Sequence, residues 1–380
     1  MTVYYVAKTG NDSNAGTAHG SPKLTIAAAV SLAYGSTGNT VEIIDSGEYN
    51  EGDIEIYSNA ITVMATGTNT PILDGLTATT TEDHAFETYV SGCVFQGLTF
   101  RDYRQQLISG WTSSGRDFIL SGCIGHSFGT NAPYGQRIGG AGSAEIHDCK
   151  IVSDGGVGVI AYSNSKVWIN NSVIGSRKPG TAAITSATSY TNITASFCTF
   201  IGSGHNNSNG RNYHLVNQVY KVINCIVSGS GHGINAYDST YNLVEVSGDP
   251  FITWTSDSWD GSARSATTGE ITGNPLFISG SIPGITDSDP DTGGAQEILG
   301  NIDIIAQDYG LSAGSPADGA GVAYNGVVTD LSGNARPDPP GLGAYELLAT
   351  GYGNIIINVA AGLGKILDVV KASVAKVVGT

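Results

Sequence analysis

Short alternations of apolar and polar residues recur from about Val41 to Phe277, broken every few positions by Gly, Asn or Asp. Period-two alternation marks half-buried strands, and runs this short do not build long amphipathic helices. Six segments align on one another: SGCVF at Cys93, SGCIG at Cys123, HDCKI at Cys149, INNSVI at Ser172, SFCTF at Cys198 and INCIV at Cys225. Their separations are 30, 26, 23, 26 and 27 residues. Self-similarity at such a period predicts stacked supersecondary units.

The columns of the alignment have physical content. Three residues before the Cys position stand Val90, Leu120, Ile146, Ile169, Ala195 and Val222, all apolar. Two residues after it stand Phe95, Gly125, Ile151, Ile174, Phe200 and Val227. One residue before it come Gly92, Gly122, Asp148, Asn171, Phe197 and Asn224. Gly, Asn and Asp tolerate left-handed backbone, so this column predicts a tight bend between two short strands, with Phe197 as the exception. After the bend, the Cys column and the column two further on share an inward face.

The prediction is an all-β fold, a right-handed parallel β-helix of roughly nine coils over residues 41–280, about 45 Å long at ~4.8 Å per coil. Cys93, Cys123, Cys149, Ser172, Cys198 and Cys225 become a structural ladder inside it. Five cysteines are an odd number, which argues against a full disulfide framework. Zinc sites need C-x-x-C spacing or clustered histidines, whereas these segments have no C-x-x-C and HDCKI alone among them carries a histidine.

A solenoid needs covered ends. Ser21 as N-cap and Pro22 at the first helical position predict a capping helix, with Leu24, Ala27, Ala28, Val30 and Leu32 mainly on one face. Residues 1–40 are thus assigned to a strand and cap, and 281–349 to closing coils. Residues 350–380 read as an amphipathic helical tail with apolar positions at Ile356, Val359, Leu363, Ile366, Leu367, Val370, Val374 and Val377. Lys365, Lys371 and Lys376 fall largely off the stripe, and Gly362 and Gly364 each weaken a helix by about 1 kcal/mol. The stripe must bury against the chain's own flank, a partner assembly or a membrane surface. The candidate anchoring residues are Leu363, Ile366, Leu367, Val370, Val374 and Val377.

Composition narrows the class. Gly supplies 53 of 380 residues, about twice the usual share, and charged residues only 13%, about half of it. Exposed helix faces need more Glu, Lys and Arg than that, so tight turns and strands fit better. Seventeen basic against 33 acidic residues give a net charge of −16, which repels phosphate backbones and excludes nucleic acid as an expected partner. The start, MTVYYVAKTGNDSN, shows no basic and apolar leader, and no apolar run reaches the ~18 residues that span a bilayer. Synthesis in a cytosol is expected, without a membrane span.

The runs YYVAKTGNDSNAGT, SPKLTIAAAV, VEIIDSGEYNE and ITVMATGTNTPILDG resemble the N-terminal part of pectate-lyase-like β-helix proteins. DYGLSAGSPADGAG and TDLSGNARPDPPGLGAYE resemble the closing coil of large bacterial and viral β-helix surface proteins. The likeness covers most of residues 3–346 and implies fold far more than activity, because this superfold hosts lyases, hydrolases, adhesins and scaffolds. KILDVVKASVAKVVG also resembles C-terminal tails of tailed-phage structural proteins.

Enzymes that the chain resembles place their sites on an exterior face, drawn from successive coils. The lyases among them use carboxylates to hold Ca²⁺ against an acidic sugar, with an Arg or Lys as proton acceptor. The hydrolases use clustered Asp, a Gly-His-Gly and an Arg-x-Lys. Gly231-His232-Gly233 matches one hydrolase element, while the Asn-Thr-Asp and paired Asp-Asp are missing. An inverting site needs carboxyls about 6.5–9.5 Å apart. Glu145, Asp148, Asp154 and Asp238 are the carboxylate candidates, with Asp148 also claimed by the bend. Arg101, Arg104, Arg137, Arg177, Lys178 and Arg211 are the scattered basic ones. Asp287, Asp289 and Asp291 alternate like a calcium loop, but Pro290 interrupts them and Gly293 falls one place late. Trp254 and Trp259 are candidates for stacking on sugars, and the 18 tyrosines permit the same use.

The expectation is a non-catalytic structural or adhesive β-helix of phage-virion type, a decoration, fibre or spike. It would meet other virion subunits or a second copy through its tail, and a surface polysaccharide on its flank. No cofactor is required, and Ca²⁺ is the one candidate. The alternative is a polysaccharide lyase or glycoside hydrolase acting on an acidic polysaccharide.

Overall fold

The structure is a computed structural model that describes residues 1–75, 83–103, 106–109, 117–127, 134–138, 142–153, 157–161, 165–176, 182–186, 192–203, 214–230, 232–246, 265–278 and 309–347. The chain divides into two compact units, 1–347 and 348–380, and the second lies outside the described residues, as does the expected helical tail. Among the described residues, no helix is long and apolar enough to cross a membrane.

The first unit is a parallel β-helix. Sheet A stacks Val3–Val6, Thr40–Ile43, Thr62–Ala65, Cys93–Gln96, Phe118–Ser121, Ser143–His147, Lys166–Asn170 and Asn192–Ser196, ending on the second half of His214–Ile223. Sheet B runs from Glu48–Tyr49 through Thr99–Arg101, Lys150–Ser153, Thr199–Ser203 and Leu243–Val246 to Ile271–Thr272. A third, sheet C, holds Ile54–Ile56, His84–Thr88 and Gln106–Ser109. The strands Tyr134–Ile138, Val157–Ala161 and Ile184–Ser186 join sheet A through the ten-residue strand His214–Ile223. Strand neighbours lie a full coil apart in sequence, because a parallel pair needs a long crossover and the rest of the coil supplies it.

The bend between sheets A and B is left-handed in every coil from Gly97 to Tyr241: Gly97, Gly122, Asp148, Asn171, Phe197, Asn224 and Tyr241 all have φ between +51° and +68°. Phe197, the exception in sequence, is no exception in conformation.

The residue after the bend forms the ladder. The amide of Cys123 donates to Cys149 Sγ (3.4 Å), Cys149 to Ser172 Oγ (3.1 Å), Cys198 to Cys225 Sγ (3.4 Å) and Cys225 to Asn242 Oδ1 (2.9 Å). Each side chain also donates to a carbonyl: Cys149 to His147, Ser172 to Asn170, Cys198 to Ser196 and Cys225 to Ile223. A small side chain with one hydrogen and a free lone pair meets both demands. Burial pushes the thiols of Cys149 and Cys225 well above their ordinary range.

Cys93 must be corrected. It opens a strand of sheet A, where its register partner is Phe118, and the bend of its coil is Gly97. The rung below Cys123 is therefore Leu98, which precedes Thr99, the partner of Ile124. Gly92 also has positive φ, but it precedes the sheet A strand.

The capping helix differs from expectation too. It spans Ile26–Ala33, and Thr25 is its N-cap, with Oγ1 accepting from the Ala28 amide at 3.2 Å. Pro22 and Lys23 lie earlier, where Lys23 bridges to Val6. Ile26, Ala29, Val30 and Ala33 face the core, while Leu24 and Leu32 are exposed. Glu51, from the first coil, accepts from the Ile26 and Ala27 amides at 2.9 Å each, putting a carboxylate at the positive end of the helix.

Residues 309–347 form a strap over the outside of sheet B. Tyr309, Ala344 and Tyr345 pack on Val152, Val173 and Ile201, and Leu311, Ala317 and Leu342 on Ile226 and Leu243. Bend residues hold it. Asn224 exchanges two hydrogen bonds with the Val322 backbone (2.7 and 3.0 Å). The buried guanidinium of Arg336 pairs with Glu346, bonds Asn171 Oδ1 at 2.7 Å and lies 4.2 Å from the Phe197 ring centroid. That contact explains an aromatic residue at a left-handed bend.

Candidate functional site

With the later coils of sheet B covered by the strap, the middle coils of sheet A keep a solvent face. The alternation in Lys166–Asn170 buries Val167 and Ile169 and turns Lys166, Trp168 and Asn170 outward. Register carries the Trp168 position through the stack: Ile119 pairs with Glu145, Glu145 with Trp168, Trp168 with Thr194, Thr194 with Lys221 and Lys221 with Asp238. One outer column thus runs Glu145–Trp168–Thr194–Lys221–Asp238.

One exposed aromatic ring lies in this column and two more lie beside it in sequence. Trp168 is 39% exposed, and Tyr220 and Tyr237, next to Lys221 and Asp238, are 48% and 64% exposed. The two tyrosine rings stack at 5.7 Å with 8° between planes. A register shift between Asn217 and Val219 precedes Tyr220 in its strand. At ~4.8 Å per coil, Trp168 and Tyr237 are about 14 Å apart along the stack. Lys221 Nζ bonds Asp238 at 2.8 Å and lies 5.4 Å from the Tyr324 ring centroid.

This geometry decides which chemistry the face can perform. Glu145 and Asp238 are four coils apart, about 19 Å along the stack, well outside the window of an inverting pair. The bond to Asp238 raises the pKa of Lys221, the opposite of what a proton acceptor needs. Ser121, His147 and Asp148 suggest a nucleophile triad by composition only. Ser121 Oγ (3.4 Å) and Asp148 Oδ2 (3.1 Å) both meet Nδ1 of His147, so the ring cannot relay a proton from one to the other. Asp148 is occupied further by Asn171 Nδ2 at 2.6 Å.

On sheet B, Arg101 gathers carboxylates from successive coils: Glu48 at 3.0 Å, the buried Asp74, and Asp102 at 3.5 Å. Hydrogen bonding to Asp74 raises the pKa of Arg101 and holds it as a cation, again unsuited to accept a proton.

The other sequence candidates are distributed as follows. His232 opens the strand His232–Thr240, where its backbone pairs with His214. Asp154, Trp254, Trp259, Asp287, Asp289 and Asp291 lie outside the described residues, as do Leu363, Ile366, Leu367, Val370, Val374 and Val377. Among the described residues, no three His, Cys, Asp or Glu converge as metal ligands. Trp168, Tyr220 and Tyr237 went unnoticed in the sequence, although strict alternation in KVWIN already sets Trp168 on the solvent side.

No protein-family model matches the chain, and no curated protein matches it in sequence. Among solved structures it is similar to pectate lyase Pel9A, with 15% identity and a TM-score of 0.50 over 92% of this chain and 97% of the lyase. Fainter likenesses are to XylC in complex with xylose (12% identity, TM-score 0.40, 64% of this chain and 65% of that one) and to rhamnogalacturonan lyase (12%, 0.36, 73% and 91%). The fold is that of a pectate-lyase-like parallel β-helix. At such identity the similarity to Pel9A concerns the backbone and carries no residue role with it.

Proposed function

We propose that the chain binds an extended polysaccharide along the outer face of sheet A and holds it without cleaving it. The observation that carries this reading is the set of exposed rings, Trp168, Tyr220 and Tyr237, in or beside one column over four successive coils that also presents Thr194, Lys221 and Asp238. Sugar rings offer apolar faces to aromatic side chains and hydroxyls to polar ones. The net charge of −16 favours a neutral polymer over an acidic one.

The non-catalytic half of the reading is supported by the wide spacing of Glu145 and Asp238 and by the ion-paired state of Lys221. A particle-borne role rests on the sequence of residues 350–380, whose apolar stripe suits an anchor to an assembly partner. Affinity electrophoresis of the full chain through gels containing xylan, glucan or galacturonan tests the proposal. Retardation by a neutral polymer, reduced in Trp168→Ala, with no new reducing ends or unsaturated products, is the expected result. Product formation would replace it with the lyase or hydrolase reading, and free migration in every gel would remove the binding face.

A further inference from the structure

Charge is segregated along this chain. Between Lys23 and Arg101 there is no lysine or arginine at all, whereas ten Asp and Glu fall in that stretch. It builds most of the cap and the first coils, where Lys8 reaches the Tyr49 ring and Arg101 pairs with Glu48 and Asp74, so that end of the β-helix stays rich in carboxylates.

Two of those carboxylates stand side by side. Glu55 and Glu87 are register partners in neighbouring coils of sheet C, ~4.8 Å apart along the stack. Like charges directly opposite one another cost stability unless a cation joins them. Glu55 is exposed and Glu87 half-buried, so a cation can reach both. Tyr57 and Tyr89 lie two residues further along each strand, with rings stacked at 4.9 Å and 15°, and the edge of Tyr34 closes one side. The phenol of Tyr57 lies near Glu55 and that of Tyr89 near Glu87. Both phenols are pushed up to about 12, Tyr57 chiefly by the neighbouring Glu55 carboxylate and Tyr89 by burial and then by Glu87.

We propose that this face of sheet C, centred on Glu55, Glu87 and Tyr57, docks an arginine-bearing segment of a partner protein. A guanidinium is planar, matches carboxylate geometry with a fork of donors and lies against aromatic rings, which an ammonium does less well. A bare divalent cation wants six or more oxygen ligands in one shell, and the described residues converge no such set. This surface is separate from the polysaccharide face on sheet A and stands or falls independently of it.

Calorimetric titration of the full chain with a short peptide of alternating arginine and serine, at ~0.15 M salt, tests the proposal. The expected result is saturable binding that weakens at least about tenfold in Glu55→Gln/Glu87→Gln. The same peptide with lysine for arginine binds more weakly. Asp318→Asn/Asp338→Asn removes two exposed charges from the strap and leaves the affinity within about twofold. Relieving a like-charge pair should not unfold the variant, and a thermal melt verifies that. Absence of binding, equal loss in both double variants, or equal affinity for the lysine peptide overturns the proposal. So does tighter binding of a chitosan oligosaccharide, which would make the face a site for cationic sugars.

Discussion

The amide of Cys149 donates its hydrogen bond to the hydroxyl of Ser172 in the next coil, at 3.1 Å. Ser172 thus does what a cysteine sulfur does at the neighbouring rungs, where Cys123 meets Cys149 and Cys198 meets Cys225 at 3.4 Å. The bend interrupts the sheet ladder and leaves this amide without a backbone carbonyl. The column selects for a small donor–acceptor group.

Ser172→Cys should therefore cost less than about 1 kcal/mol, whereas Ser172→Val should cost about 1–3 kcal/mol by leaving the Cys149 amide unsatisfied. Urea denaturation of the two variants measures the difference. Equal destabilisation would remove the hydrogen-bonding account of the ladder.

The strap depends on one buried ion pair. Burial lowers the pKa of Arg336, and Glu346 opposes that shift. Removing one partner leaves the other charge buried and alone, so Arg336→Ala or Glu346→Ala should cost about 3–5 kcal/mol. Replacing both together with Met and Leu should cost much less. Limited proteolysis within residues 309–347, alongside denaturation, reports whether the strap is what loosens.

His147 and Asp148 give the molecule a pH window. The bond to Asp148 raises the pKa of His147, with Glu145 contributing, so its share of stability is complete below the ordinary value of 6.5 and disappears as pH rises through the raised one. The bond to His147 lowers Asp148, with Asn171 and Arg336 contributing, so its share is complete above 3.8 and disappears as pH falls through the lowered value. The pair stabilises most between about 4 and 6.5. Both side chains are more than a third exposed, so screening holds the effect below about 1 kcal/mol. In His147→Gln, melting temperature should lose that pair's contribution to the decline above this window.

The bend and ladder were legible because their chemistry is local. Left-handed backbone selects Gly, Asn and Asp, and the interrupted sheet selects Cys or Ser. Cys93 misled because residue identity outweighed spacing. Its separation of 30 from Cys123 was the longest in the set, and the rung at Leu98 restores 25. The strap was visible in another way. Strands such as KIVS and VIGS have no polar alternation, as expected when both faces are covered, whereas KVWIN alternates and stays open on one side. Phe197 could not be read locally, since its partner, Arg336, lies far along the chain. The tyrosine stacks were hidden for the same reason, as each ring comes from a different coil.

The polysaccharide-face account makes a length prediction. A ligand must span three coils, about 14 Å, to touch both Trp168 and Tyr237. The deciding measurement is calorimetric affinity for a neutral oligosaccharide series of increasing length, with the full chain and with Trp168→Ala. The account predicts affinity that rises until the ligand covers that span and then levels off, and a Trp168→Ala curve that levels off earlier and lower. Affinity independent of length, or unchanged by the substitution, would contradict it.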